Sequence, residues 1–140
     1  SKLKVIDWEL VEFGDRRWDV ASVFQAYLSH WIMRHYRDQS QKKEQLLQHT
    51  ADSMPTMFAS IDTFWRTYCD GMQLAMQDRP SLLLQCLEFS AVRILCTAFE
   101  SLHGAAEVSQ HAQALVELSQ QILDAPAQAA VNLFGFAEES

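Results

Sequence analysis

The chain has 140 residues and a mass of 16.0 kDa; 49% of its residues are hydrophobic and 21% are charged. This length predicts a single domain over 1–140 that can bury a core without metal or disulfide cross-links. Eighteen acidic and eleven basic residues give a net charge of −7, which argues against a nucleic-acid-binding protein because such proteins carry concentrated basic patches. Four glycines and three prolines are too few turn-forming residues for a β-sandwich or barrel. The composition therefore predicts a mainly α-helical domain.

The three cysteines, Cys69, Cys86 and Cys96, lie in apolar stretches and form no C-x-x-C pair. An odd number at these spacings fits neither a disulfide framework nor a zinc site. We therefore expect reduced thiols, packed as small hydrophobic side chains in a cytoplasmic protein. No uninterrupted apolar run reaches the roughly 20 residues of a membrane span, so we expect no membrane partner.

The first residues in chain order predict a short strand that leads into an acidic loop. Residues 3–6 alternate in polarity and end in a β-branched pair, which is typical of a strand. Residues 7–17 break the alternation and contain four acidic side chains. Asp7 and Glu9 stand at the exit of the strand, and carboxylates at such a place suit Mg²⁺ because that ion takes oxygen ligands. From spacing alone, a solvated acidic loop with a helix cap is the more common explanation.

The first helix is predicted to begin behind Asp19, which stands where an N-cap residue would. Its apolar residues recur at three- and four-residue intervals as far as about Tyr36. The polar stretch 37–53 predicts a loop that contains a short exposed helix. Trp18 and Trp31 are expected to pack in the core.

Three further helices are predicted, which makes four behind one strand. They run from a start at Ser53 and Pro55 to about Met76, from about 81 to 102 with Gly104 as its cap, and from about Glu107 to Leu123. The alanine-rich tail beyond Pro126 is not assigned to a helix. In the second helix the aromatic side chains stand at helical spacing and are expected in the core rather than around a cofactor; they are Phe58, Phe64, Trp65 and Tyr68.

A motif extends over residues 5–21. It reads Val5-Ile6-Asp7-Trp8-Glu9, then Gly14-Asp15, then Trp18-Asp19-Val20-Ala21. This order and spacing closely resembles a signature of the aminoglycoside phosphotransferase and choline kinase-like family, in which I-D-[WF]-E is followed by G-D and by an aromatic-D-[LV]-A that opens a helix. The resemblance implies the helical carboxy-terminal lobe of a kinase-like fold with one short N-terminal strand. Residues 1–17 would form the strand and metal-binding loop, and 18–140 the helical subdomain.

The resemblance also implies roles for four residues. Asp7 would match the aspartate that holds Mg²⁺ on the phosphates of ATP, where the cation neutralises charge on the transferred group. Glu9 would act through a water or shape the acceptor side. Trp8 would form a wall of the nucleotide or acceptor cleft, although packing explains it equally well. Asp19 would match a buried aspartate that braces the catalytic loop, a role compatible with a helix cap.

The sequence departs from the family pattern because it contains neither the H-G-D-x-x-x-x-N catalytic loop nor a glycine-rich phosphate loop. We therefore expect no catalytic residue within this chain, and we expect a missing amino-terminal kinase lobe as its partner. The function implied is the metal- and acceptor-binding part of an ATP-dependent small-molecule phosphotransferase, with Mg²⁺ and ATP as cofactors of the complete protein and a small-molecule hydroxyl as acceptor. Apolar surface left exposed on the strand side would be covered by the missing lobe or by self-association.

Other interpretations stay open at this point. A non-catalytic helical interaction domain would retain the same motif as a degenerate scaffold. The last forty residues contain five acidic side chains and no lysine or arginine, which suits either a cationic acceptor or a solvated surface. Glu100-x-x-His103 has the spacing of a di-iron ligand pair, but the second pair and the additional glutamates that such a centre needs are lacking.

Overall fold

The structure, a computed structural model, describes residues 14–37, 43–102 and 107–136, with side chains for 14–34, 55–102 and 107–136. Within these ranges the chain is mainly α-helical and forms no strand, which confirms the predicted mainly α class. The strand predicted at 3–6 lies outside the described residues. The helices are α1 (Arg16–Arg37), α2 (Lys43–Gly71), α3 (Arg79–Ser101), α4 (Gln110–Asp124) and α5 (Pro126–Phe134), with a 3-10 turn at Met76–Asp78.

Helix α3 lies at the centre of the bundle, where it packs against α1 on one side and α4 on another. Its buried residues recur at three- and four-residue intervals and are Leu82, Cys86, Leu87, Ser90, Ala91, Ile94 and Ala98. The buried hydroxyl of Ser119 on α4 donates a hydrogen bond of 2.8 Å to the carbonyl oxygen of Ala91. This bond satisfies a polar group that would otherwise be costly to bury, and it joins α4 to α3.

Aromatic side chains from three elements meet around Phe24 of α1, which is fully buried. The ring of Phe24 lies 6.0 Å from that of Phe64 and 6.3 Å from that of Trp65, centroid to centroid. From the carboxy-terminal end of the chain, Phe134 approaches to 5.3 Å and Phe136 to 6.3 Å. The aromatic residues of α2 therefore belong to the core or pack against it, as their spacing predicted.

Helix α1 begins four residues earlier than predicted, at Arg16 rather than behind Asp19. The cause is Asp15, whose carboxylate accepts a hydrogen bond of 2.9 Å from the backbone N–H of Arg17. Its carbonyl oxygen accepts another, also of 2.9 Å, from the N–H of Trp18. Asp15 therefore acts as the helix cap that was expected at Asp19.

Helix α2 passes through the proline that was predicted to start it. The helix begins at Lys43, inside the stretch predicted as a loop, and Pro55 lies within it. A proline in a helix interior removes one backbone donor, but here Pro55 is exposed and the buried Met57 and Ile61 that follow it pack in the core. The predicted end at Met76 is also wrong: the helix ends at Gly71, and Gln73 adopts a left-handed conformation (φ 53°).

The other two predicted helices agree with the structure to within three residues. Pro80 stands in the first turn of α3, and Ser109 caps α4 by accepting a hydrogen bond of 3.1 Å from the N–H of Ala112. The cap predicted at Gly104 lies outside the described residues. Helix α5 was not predicted at all: it begins with Pro126 and buries Ala129, Ala130 and Phe134.

The stretch Met76–Ser101 is long and apolar enough to cross a membrane by length and composition alone, with a mean hydropathy of 1.6 in its most apolar window. The stretch is not an uninterrupted apolar run, because Glu88 and Arg93 lie within it. The core helix of a bundle has the same composition, because α3 buries one face against α1 and another against α4. Packing accounts for part of this apolar content, since 39% of the window is buried inside the fold.

Candidate site at the amino end of helix α1

The second half of the motif opens α1, and the first half lies outside the described residues. Asp7, Trp8 and Glu9 therefore have no described position. Asp19 lies in the first turn of α1 and is exposed to solvent, whereas the resemblance implied a buried aspartate. The next two residues, Val20 and Ala21, are buried in the core. The motif thus separates into an acidic side chain directed to solvent and an apolar pair that anchors the helix.

Arg17 ties the start of α1 to α3. Its Nε donates hydrogen bonds of 2.8 Å to each carboxylate oxygen of Asp15, and its Nη2 completes the ion pair with that carboxylate. Its Nη1 donates a bond of 2.9 Å to Oε1 of Gln85 on α3. Both oxygens of Asp15 are therefore engaged by Arg17, and this carboxylate serves structure rather than standing free as a metal ligand.

Beside this ion pair, two adjacent aromatic rings lie between two arginines. The guanidinium of Arg17 lies 5.0 Å from the ring centre of Phe89, and that of Arg93 lies 4.8 Å from the ring of Trp18. The two rings meet edge to face at 6.0 Å. We call Arg17, Phe89, Trp18 and Arg93 the arginine–aromatic ladder. Such contacts stabilise a cation whose hydration is reduced.

The ladder corrects the expectation for Trp18, which is 39% exposed rather than in the core. Trp31, by contrast, is partly buried and packs against the core, as expected. No site role was predicted for Phe89 or Arg93, although their spacing of four residues places both on one face of α3. What could not be read from spacing is that this face meets the first turn of α1.

Burial suppresses the acid–base chemistry of two side chains, Cys86 of α3 and Tyr68 of α2. It raises the pKa of the Cys86 thiol to about 12 and also raises the pKa of Tyr68. The hydroxyl of Tyr68 is buried and finds no hydrogen-bond partner among the residues the structure describes. Cys86 and Tyr68 therefore stay protonated near neutral pH. All three cysteines are free thiols, two of them buried and Cys96 exposed.

Across the described ranges, no three histidine, cysteine, aspartate or glutamate side chains lie together as a metal would require. Glu100 is exposed, and its predicted companion His103 lies outside these ranges. Comparison with protein-family models, curated proteins and solved structures finds no match to this chain. Functional inference therefore rests on the motif at 5–21 and on the geometry around Arg17.

The Asp15–Arg17 pair predicts an acid-sensitive helix start. Hydrogen bonds from Arg17, through its side chain and its backbone N–H, lower the pKa of Asp15 from 3.8 to about 2. Because the folded-state pKa is depressed, the contribution of this carboxylate to stability is present above pH 3.8 and is lost as the pH falls toward 2. A carboxyl NMR titration of the folded protein should give an Asp15 pKa well below 3.8.

Two variants separate the causes of this shift. Arg17→Gln should return the Asp15 pKa toward 3.8, because it removes the largest contribution. Arg16→Gln removes an equal charge that acts only through a weaker Coulombic interaction, so it should move the pKa much less. Equal effects of the two substitutions would show that the hydrogen bonds from Arg17 are not the cause.

Proposed function

We propose that this chain is the metal- and acceptor-binding part of an ATP-dependent small-molecule phosphotransferase with a kinase-like helical lobe. The observation that carries the proposal is the order and spacing of Ile6-Asp7-Trp8-Glu9, Gly14-Asp15 and Trp18-Asp19-Val20-Ala21. The chain is incomplete for catalysis in this proposal, since the catalytic loop and nucleotide lobe belong to the missing amino-terminal partner.

The described half of the motif supports the proposal through its local structure. Asp15 caps α1, and the apolar pair Val20 and Ala21 is buried, so the residues that the motif specifies after the acidic loop are those that start and anchor a helix. The ladder then fixes the first turn of α1 on α3. A loop that enters α1 at Gly14 is thereby attached to a well-packed end of the bundle.

In this proposal Asp7 holds Mg²⁺, which when bound neutralises charge on the transferred phosphoryl group. Glu9 and Trp8 lie toward the acceptor, a small-molecule hydroxyl. Asp19, exposed in the first turn of α1, accepts backbone N–H donors of the catalytic loop and braces it. The side chains of Trp18 and Val92, both exposed, are apolar surface for the missing lobe. The free thiols suit the cytoplasm.

A second candidate is a non-catalytic interaction domain that keeps the motif as scaffolding. The observation that favours it is the engagement of Asp15, whose two carboxylate oxygens are both bound by Arg17. An aspartate of the motif is therefore explained by helix capping alone. The two candidates differ in whether Asp7 binds metal and nucleotide.

The test is thermal unfolding of the full-length parent protein with and without Mg-ATP. A ligand present at about 100 times its Kd stabilises a protein by about 2.7 kcal/mol, so the wild-type midpoint should rise clearly. Asp7→Asn should abolish that rise. The matched control is Glu12→Gln, which removes an acidic side chain at a spacer position that the motif does not specify and should leave the rise intact.

Each outcome decides between the candidates. Stabilisation that survives Asp7→Asn would exclude Asp7 as the metal ligand. No stabilisation of the wild-type protein would favour the interaction domain. Equal losses in Asp7→Asn and Glu12→Gln would point to the general charge of the loop rather than to a ligand site.

A further inference from the structure

A second feature lies on the side of the bundle where α5 packs. An open groove of about 660 Å³ runs between the last turns of α2, the first turns of α3 and α5. Its apolar lining includes Trp65, Leu83, Val131 and Phe136. The volume lies in the range of roughly 300–1,000 Å³ that is typical of small-molecule sites, and the mostly apolar lining is also typical of them.

The charged residues that line the groove are Arg66 and Arg79, and no acidic residue lines it. This composition runs against the net charge of −7 of the whole chain. Both arginines are ion-paired with aspartates outside the lining, Arg66 with Asp62 at 2.8 Å and Arg79 with Asp70 at 2.9 Å. The lining itself presents arginine N–H donors and no carboxylate, so an anionic ligand finds hydrogen-bond partners there and a cationic ligand finds none.

Arg79 is held in place at the edge of the groove. Its Nε donates a hydrogen bond of 3.2 Å to the carbonyl oxygen of Leu74, and its Nη2 donates one of 2.9 Å to Asp70. Neither of these two hydrogen bonds uses Nη1 of Arg79. The side chain of Arg79 is 21% exposed and that of Asp70 is 70% exposed, so water screens the carboxylate more than the guanidinium.

We propose that this groove binds an organic anion with an extended apolar body, of the fatty-acid class. Arg79 holds the carboxylate, and Arg66, whose Nε is paired with Asp62, offers its remaining N–H donors at the more exposed rim. Trp65, Leu83, Val131 and Phe136 cover the hydrocarbon chain. The proposal does not rest on the phosphotransferase function, because it uses no residue of the motif at 5–21.

The first experiment titrates the chain with decanoate below its micelle concentration and follows binding by calorimetry and by tryptophan fluorescence. Decanoate should bind saturably, whereas decyltrimethylammonium, which carries a similar chain and the opposite charge, should not. Trp65→Phe should remove most of the fluorescence change and leave the calorimetric binding in place. Equal binding of the two amphiphiles would overturn the proposal, as would decanoate binding only in the presence of phospholipid vesicles.

Variants then locate the site. Arg79 also bonds to Leu74 and Asp70, so its replacement risks the fold, and two milder changes serve instead. Ala127→Phe places a large side chain in the groove from an exposed position on α5 and should weaken binding by about tenfold or more. Arg66→Gln should weaken it severalfold, less at high salt because its side chain is exposed.

The matched controls lie on α1, away from the groove. Ala26→Phe and Arg34→Gln make the same chemical changes at exposed positions and should leave decanoate affinity unchanged. Circular dichroism of every variant checks that the helices are intact. Affinity that is unaffected by Ala127→Phe, or reduced equally by Ala26→Phe, would show that decanoate binds elsewhere and would overturn the assignment.

Discussion

Replacement of Phe24 by alanine is expected to lower the free energy of unfolding by about 3–5 kcal/mol, the range found when a buried Phe is truncated. The whole stability of a domain is about 5–15 kcal/mol, so the variant should be only marginally folded. The reason is the position of the ring, which is fully buried and contacts aromatic side chains of α2 and of the carboxy-terminal end. Its loss removes contacts on both sides at once.

Urea unfolding followed by far-UV circular dichroism measures this effect as a fall in the midpoint concentration. Phe24→Leu keeps much of the buried volume and should cost less than Phe24→Ala. Met33→Ala, at a half-exposed position of the same helix, should change stability by about 0.5 kcal/mol or less. A small effect of Phe24→Ala, close to that of Met33→Ala, would show that α1 does not pack on the aromatic core as described.

Gly135→Ala is expected to destabilise the protein by roughly 2–3 kcal/mol, through backbone strain and overpacking together. Gly135 ends α5 with φ of 70°, a left-handed conformation that costs an L-residue about 1–2 kcal/mol. A Cβ atom at this position would also lie 2.6 Å from ring carbons of Phe58. The turn directs Phe136 into the core, where its N–H bonds the carbonyl oxygen of Ala130 at 3.0 Å.

Two further variants separate the two causes in the same urea experiment. Gly135→Asn tolerates the left-handed backbone better than alanine does but keeps the clash, so it should recover only part of the loss. In the background of Phe58→Ala, the substitution Gly135→Ala should cost less than in the wild-type protein, because the clashing ring is absent. An unchanged cost in that background would mean that backbone strain alone is responsible.

The candidate site was predictable in part. The motif at 5–21 identifies Asp7, Trp8, Glu9 and Asp19 by order and spacing, and those roles stay predictions. The anchoring of the described half was not predictable, because Arg17 finds Gln85 and Phe89 on a helix some seventy residues later in the chain. Spacing along one helix contains no information about which other helix that face will meet.

The errors in the predicted helix boundaries have a similar cause. Pro55 and the polar residues before it predict a helix start, since local preference disfavours a proline in a helix interior. In the structure α2 nonetheless continues through Pro55, and the buried Met57 and Ile61 pack it against the core. Helix α5 is too short to show a clear period, and it forms where Phe134 is buried beside Phe24.

The sequence by itself determined three local properties of this protein. They are the scarcity of glycine and proline, which argues against a β-sandwich or barrel, the period of the apolar residues in α3 and α4, and the aromatic spacing in α2. They specify a mainly helical chain because a helix brings residues three and four apart onto one face. The arginine–aromatic ladder, the left-handed turn at Gly135 and the groove with Arg66 and Arg79 were decided only by tertiary structure. Each joins residues from separate helices, and packing rather than periodicity determines which helices meet.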